Sequence, residues 1–234
     1  MALTEYRRKR RFGVTPEPSG DAKRRRSSRA LTFVVQKHRA TALHYDFRLE
    51  WNGVLLSWAV PKGPSLDPSV KRLAMQTEDH PIEYATFEGI IPEGEYGGGT
   101  VMVWDRGTWE PEGPDVEAAL KKGELKFRLD GTKLRGSFVL VRTRGGYGGR
   151  SAWLLIKHRD AHASDEDLTV TEPRSVKSKR LLAEIAWHEG GNVEKAAGAD
   201  PPDEIRKLIK KPALVTRRKR GSKPSVWRSN RAGS

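Results

Sequence analysis

The stretch Leu43-His44-Tyr45-Asp46-Phe47-Arg48-Leu49-Glu50-Trp51 decides how this chain is read. Its odd-numbered positions are apolar or aromatic and its even-numbered positions are polar. That period of two predicts a β-strand with one buried face. Residues i, i+2 and i+4 of a strand project from the same side, about 7 Å apart per step. His44, Asp46 and Arg48 therefore line one face in that order. An imidazole and a carboxylate so spaced can converge on one divalent ion, and the guanidinium one step further can reach an anion bound to it.

Just upstream, Gln36-Lys37-His38-Arg39 supplies a second imidazole. Two His and one Asp form a three-ligand set that leaves coordination positions open for water or substrate, as catalytic sites do. The mixed nitrogen and oxygen donors suit manganese, iron or zinc, and spacing alone does not choose among them. Downstream, Asn52-Gly53 suits a type I′ hairpin turn. The return strand, 54–60, ends at Pro61-Lys62-Gly63-Pro64, which puts Lys62 at a strand end within reach of the same pocket. The plainer alternative is a polar outer face of a half-exposed strand, with Lys62 an ordinary turn lysine.

Composition bounds the rest. The 234 residues suffice for one substantial domain with extensions. With no apolar run of about 18 residues, no membrane span is expected. The basic N-terminus has no apolar stretch behind it and does not read as a secretory signal. The absence of cysteine excludes disulfides and thiolate metal sites and is compatible with a reducing cytoplasm. The net charge of +14 is unevenly distributed: residues 1–30 carry 10 Lys/Arg against 3 Asp/Glu, and residues 200–234 carry 11 against 3. The middle is close to neutral. This pattern predicts flexible basic arms around a neutral folded domain, and such arms bind polyanions by counterion release without sequence choice.

From residue 31 to about 156, short β-like runs dominate, at 31–36, 43–51, 54–60, 71–77, 84–88, 100–105, 124–129, 134–142 and 152–158. Turn chemistry separates most of them, including Pro92-Glu93-Gly94, Gly97-Gly98-Gly99 and Asp130-Gly131. Many short strands in one domain predict a mainly β fold, a barrel or a sandwich. A helix is expected over 115–122, with Asp115 as N-cap and Gly123 just past its end. Helices are also expected over 179–188 and 202–211, followed by a disordered tail from Arg217-Arg218-Lys219-Arg220 onward. The chain divides into a basic arm at 1–30 that folds only against the domain or a ligand, a β domain at 31–160, and a partly helical, then disordered and basic, extension at 161–234. The glycines of 97–99 lack the Gly-Lys-Ser/Thr of a phosphate loop and read as a turn.

Other polar residues join the pocket. Pro81 holds His80 extended, and a loop His beside a cleft can donate a proton or bind a phosphate oxygen. Arg72 and Gln76 alternate with apolar residues and face either the pocket or solvent. His158, His162 and His188 lack spaced partners and are given no role, and the seven Trp read as packing. Assembled, these residues describe a metal-assisted phosphoryl site.

At this point the motifs resemble a known family. Residues 33–64, from Phe33-Val34-Val35-Gln36 to Val60-Pro61-Lys62-Gly63-Pro64, are similar to the 3′-phosphoesterase domain of bacterial DNA ligase D. So are Glu78-Asp79-His80-Pro81-Ile82-Glu83-Tyr84, the run Phe87 to Gly97, and Trp104-Asp105-Arg106-Gly107-Thr108-Trp109. The similarity runs over about residues 5–160. It implies a compact β-barrel with short helices, and a manganese-dependent hydrolase of non-homologous end joining, another divalent transition metal being possible. Such an enzyme removes a 3′-terminal ribonucleoside and then the 3′-phosphate, leaving a 3′-hydroxyl.

The resemblance further implies that His38, His44 and Asp46 hold the metal. Gln36, Arg48, Lys62, Arg72 and His80 would contact the phosphate. Tyr84 lies close by, Glu78 assists, and Arg10 and Glu17 contribute from the N-terminal arm. One departure is Arg11, where the family commonly has Asp; reversing that charge is expected to weaken an arm–site contact.

The expected partners are DNA 3′ ends bearing ribonucleotides or a 3′-phosphate, and a ligase, polymerase or end-binding repair protein met in trans by a free-standing phosphoesterase. Val226-Trp227-Arg228-Ser229-Asn230-Arg231 resembles a linker of the multidomain ligase. The expected location is the cytoplasm of a bacterium or archaeon, at the nucleoid. Two other readings use the same residues: a non-catalytic DNA-end-binding factor that recruits a ligase, and a cyclic-phosphate or RNA-processing esterase.

Overall fold

The alternating run at 43–51 forms β2 (Leu43–Trp51) in the computed structural model, which describes residues 3–21, 30–144 and 151–210. It lies antiparallel between β1 (Leu31–Arg39) and β3 (Val54–Val60). Asn52 and Gly53 take φ of 46° and 77°, as both central residues of a type I′ turn must. The register that follows, Trp51↔Val54 to Tyr45↔Val60, sets Arg48 opposite Ser57.

The remaining strands are β4 (Lys71–Gln76), β5 (Gly89–Ile91), β6 (Gly99–Pro111), β7 (Glu124–Gly131), β8 (Arg135–Arg142) and β9 (Ala152–Lys157). The sheet runs β1-β2-β3-β4-β9-β8-β7-β6-β5, and pairing of β1 with β6 closes eight strands into an antiparallel barrel. β5 flanks the start of β6. Side chains alone can fill the interior of a barrel this size. Phe33, Val35, Phe47, Phe127 and Phe138 do so, with Trp58, Trp104, Trp109 and Trp153. Each such buried side chain stabilises the fold by roughly 1.5–3 kcal/mol or more.

The outer face of β1–β3 is covered at one end. Val34, Leu55 and Val103 form a second buried cluster with Tyr6, Tyr84 and Ala85. Tyr6 comes from α1 (Thr4–Arg8), so residues of the N-terminal arm do fold against the domain. Tyr84 comes from a 3₁₀ turn, Ile82–Thr86, where the sequence predicts a strand at 84–88. The reason is local. Tyr84 N–H donates to Pro81 O (3.0 Å) and Phe87 N–H to Tyr84 O (3.0 Å). The Gln36 amide then donates to the carbonyls of Tyr84 (3.0 Å) and Phe87 (2.8 Å), which occupies groups a strand ladder would need.

β6 runs past the expected end at 105, because Arg106-Gly107 continues the strand. A Cβ at Gly107 would collide with Asp130 O of the neighbouring strand, so glycine is what lets β7 approach. Helix α2 (Val116–Lys122) is capped as expected, with Asp115 Oδ1 accepting the Ala118 N–H (2.9 Å) and Gly123 at φ 87°.

Beyond β9 come α3 (Leu168–Thr171), α4 (Leu182–Glu189), α5 (Val193–Ala197) and α6 (Pro202–Ile209). Leu182, Ile185, Ala186 and Ala196 join the barrel's core cluster. Lys37, buried on the β1 face that carries Val35, is held by Asp200 Oδ1 at 3.0 Å, and Asp200 Oδ2 accepts the Ala183 N–H (2.9 Å) at the start of α4. Residues 181–200 are therefore built into the domain. The expected tail and linker-like segment, at 217–220 and 226–231, lie outside the described residues. Among the described residues, no helix is long and apolar enough to cross a membrane.

Candidate metal and phosphate site

Alternation puts Gln36 and His38 of β1 on the same outer face as His44, Asp46 and Arg48 of β2, and the pairs Gln36↔Asp46 and His38↔His44 face each other across the ladder. Ligand atoms of His38, His44 and Asp46 all lie within 4.8 Å of one another. Asp46 Oδ2 is 3.5 Å from His38 Nδ1 and 3.7 Å from His44 Nε2.

The far side of each imidazole fixes its tautomer. His38 Nε2 lies 2.8 Å from Gly97 O and His44 Nδ1 lies 3.2 Å from Ala42 O. A carbonyl only accepts, so each of these nitrogens carries the proton. The lone pairs left, Nδ1 of His38 and Nε2 of His44, converge on a carboxylate. Two lone pairs and an anion facing one another repel unless a cation lies between them. The three residues thus fit a divalent metal, with backbone carbonyls orienting both imidazoles. Burial pushes the Asp46 carboxyl up, but Arg48, His44 and His38 together hold it well below the usual carboxylate range.

Arg48 is the hub beside this set. Its Nη2 is 3.2 Å from Asp46 Oδ2, its Nε donates to Gln36 Oε1 (2.9 Å), and its Nη1 donates to Ser57 Oγ (2.8 Å). Nη1 also lies 2.8 Å from His80 Nδ1. That same Nδ1 is 2.9 Å from Glu78 O, an acceptor, while His80 Nε2 is 3.2 Å from Arg10 Nη2, a donor. One ring cannot satisfy all three neighbours. Nδ1–H to Glu78 O with Nε2 accepting from Arg10 satisfies two, and leaves an Arg48 N–H directed at a ring nitrogen that has no lone pair to offer. Burial, Arg48 and Arg10 hold the His80 imidazole well below its ordinary pKa, so it is neutral.

The arm completes the wall. Glu17, fully buried, accepts from Arg10 Nε (2.8 Å), Thr15 Oγ1 (2.8 Å) and Tyr84 Oη (3.0 Å). Arg10 Nη1 and Lys9 Nζ each lie 3.2 Å from the Glu78 carboxylate. Burial raises the Glu78 pKa, but its own backbone N–H, Lys9 and Arg10 bring it below the ordinary value. Burial pushes the Tyr84 hydroxyl far up, so Tyr84 stays protonated. Arg11 is exposed and pairs with Glu95.

Ten of the twelve expected site residues thus form one connected group, and two do not. The pairing Trp58↔Gln76 gives Arg72, Ala74 and Gln76 the inner face of the barrel, opposite Arg48. Arg72 Nε is buried without a hydrogen-bond partner among the described residues. Lys62 is exposed in the turn after β3 and makes no hydrogen bond or ion pair to a described residue. Ser57, Lys9 and the carbonyls of Ala42 and Gly97 were not expected. The Asn52-Gly53 turn alone could have found Ser57, since a two-residue loop forces it opposite Arg48.

Residues 36–142 match the family model "DNA Ligase D 3'-phosphoesterase domain". The chain is 55% identical over 183 residues to the multifunctional non-homologous end joining protein LigD of Pseudomonas aeruginosa, covering 77% of this chain and 22% of that protein. It is 50% identical over 164 residues to the LigD protein of Mycobacterium tuberculosis, covering 70% and 20%. For the LigD protein of Mycolicibacterium smegmatis the identity is 42% over 196 residues, covering 79% and 25%. The chain therefore spans about a fifth to a quarter of the length of these relatives. These alignments are longer than 5–160, so they take in more than the segment the motifs marked. Eight of the ten connected site residues lie inside that family match and Arg10 and Glu17 precede it, and the chain belongs to the DNA ligase D 3′-phosphoesterase domain family.

Proposed function

We propose that this domain is a metal-dependent phosphoesterase that heals nucleic-acid 3′ ends, removing a terminal ribonucleoside and then the 3′-phosphate to leave a 3′-hydroxyl. The observation that carries this reading is the contact between Asp46 and Arg48. A metal-competent carboxylate and a fixed guanidinium stand 3.2 Å apart, so one phosphate could meet both Arg48 and the ion that Asp46 would hold. His38, His44 and Asp46 would hold the ion, manganese or another divalent transition metal. Bound there, it supplies Lewis-acid polarisation of a phosphate oxygen. Arg48 and Arg10 offer N–H groups to the oxygens that gain charge, and neutral His80 lies between them, its Nε2 accepting from Arg10. Gln36 and Ser57 hold the Arg48 fork in place. These hydrogen bonds orient the guanidinium before a ligand arrives, which favours transition-state stabilisation.

The names of the relatives support a role in non-homologous end joining DNA repair. The test is a primer–template with one labelled 3′-terminal ribonucleotide, with and without manganese. Shortening to a 3′-phosphate and then a 3′-hydroxyl is expected, and it should disappear in His44→Ala. Binding without cleavage across several divalent metals would overturn the enzymatic reading and favour an end-binding factor. Cleavage of a free 2′,3′-cyclic nucleotide but not of the primer would favour the cyclic-phosphate esterase.

A further inference from the structure

Tyr96 is a large aromatic side chain left 42% exposed, and it stands at the edge of the site. The next residue, Gly97, accepts the His38 Nε2–H at 2.8 Å, so one peptide unit separates Tyr96 from a candidate metal ligand. Cations stand over its ring: Lys9 Nζ is 4.7 Å and Arg10 Cζ 5.6 Å from the centroid. Arg10 is also the residue that touches His80. The carboxylate before it, Glu95, is paired with Arg11, so it does not leave an uncompensated negative charge beside the ring. An exposed aromatic side chain with cations over its ring, next to a phosphate site, has the chemistry of a base-stacking platform.

We propose that Tyr96 stacks on a nucleobase within one or two nucleotides of the 3′-phosphate held by Arg48 and Arg10. The inference rests on the nucleic-acid reading given above and adds a recognition element to it. Stacking uses the π-face that every base has, so all four bases are accepted at this position. Lys9, over the ring, keeps positive charge where the strand's backbone passes.

The experiment uses the full chain, in EDTA so that nothing is hydrolysed. The probes are 5′-dye-labelled DNA strands ending in a 3′-phosphate, with 2-aminopurine at the terminal, second or sixth nucleotide from that end. Anisotropy of the dye reports binding, and 2-aminopurine quenching reports stacking. Quenching is expected at the first or second position but not at the sixth, and it should persist in Tyr96→Phe and Tyr96→Trp. Tyr96→Ala and Tyr96→Leu should lose it and bind about tenfold more weakly. The leucine keeps apolar bulk beside Lys9 but has no π-face. Binding by the native protein with quenching that is absent, or that survives in both Ala and Leu variants, would overturn the stacking role. No anisotropy change with the native protein would instead overturn the nucleic-acid reading itself.

Discussion

Arg48 Nη2 stands 3.2 Å from Asp46 Oδ2, although the two residues are neighbours on one strand face and each has further partners. Asp46 is thereby shared between a guanidinium and two imidazoles, and Arg48 between Asp46, Gln36, Ser57 and His80. The metal set and the anion set meet at this contact, so neither can shift without moving the other.

Arg48 should therefore not tolerate a conservative replacement. Lysine keeps the charge but cannot reproduce the planar fork that reaches Gln36, Ser57 and Asp46 together. Arg48→Lys is expected to lower kcat on a 3′-phosphate strand by about a hundredfold or more, the usual effect of losing one preorganised donor. Steady-state phosphate release measures it, and activity within a few-fold of native would argue against the hub role.

The Lys37–Asp200 pair makes a stability prediction. Burial pushes the Lys37 ammonium below its ordinary pKa, against the pull of Asp200. Asp200→Ala leaves that amine buried without its carboxylate and also removes the acceptor at Ala183. Breaking such a pair from one side costs about 3–5 kcal/mol. Urea unfolding should show the loss, and the double variant Lys37→Met/Asp200→Ala should recover part of it.

The arm is held by Glu17, whose carboxylate binds Arg10, Thr15 and Tyr84. Glu17→Ala should release residues 3–21 from the barrel while β1–β9 stay folded. Hydrogen exchange should become fast in α1, and trypsin should cut at the freed arginines; unchanged protection of α1 would contradict the assignment.

His80 sets a pH dependence. Its ordinary pKa is 6.5, and the fold holds it well below that through burial, Arg48 and Arg10. Between the two values the unfolded chain binds the proton and the folded chain does not. The contribution is thus fully present above the unfolded value and is lost as pH falls below it, by at most about 1.4 kcal/mol per pH unit. In EDTA, the native protein should lose stability from pH 6.5 to 5 more steeply than His80→Gln. Parallel curves would mean that His80 is not kept neutral.

Much of the site was legible because it is written on two hairpin strands. Alternation in 43–51 set the shared face of His44, Asp46 and Arg48, and the Asn52-Gly53 turn set the register of the return strand against them. What alternation could not supply was closure. Whether Arg72 faces the pocket or the core depends on β4 pairing with β3 and β9, a contact between distant segments. The 3₁₀ turn at Ile82–Thr86 has strand-like composition, and only the Gln36 amide, 48 residues from Tyr84, reveals why it is not a strand. Burial of Leu182, Ile185, Ala186 and Ala196 was equally hidden, as was that of Asp200, which finds its lysine across 163 residues.

The central claim is that His38, His44 and Asp46 hold one divalent ion. Titrating the metal-free protein with manganese, followed by calorimetry, tests it most directly. The account predicts one site per chain, lost in Asp46→Asn and in His44→Ala, with both variants remaining folded. Undiminished one-to-one binding in both variants, or no binding by the native protein, would contradict it.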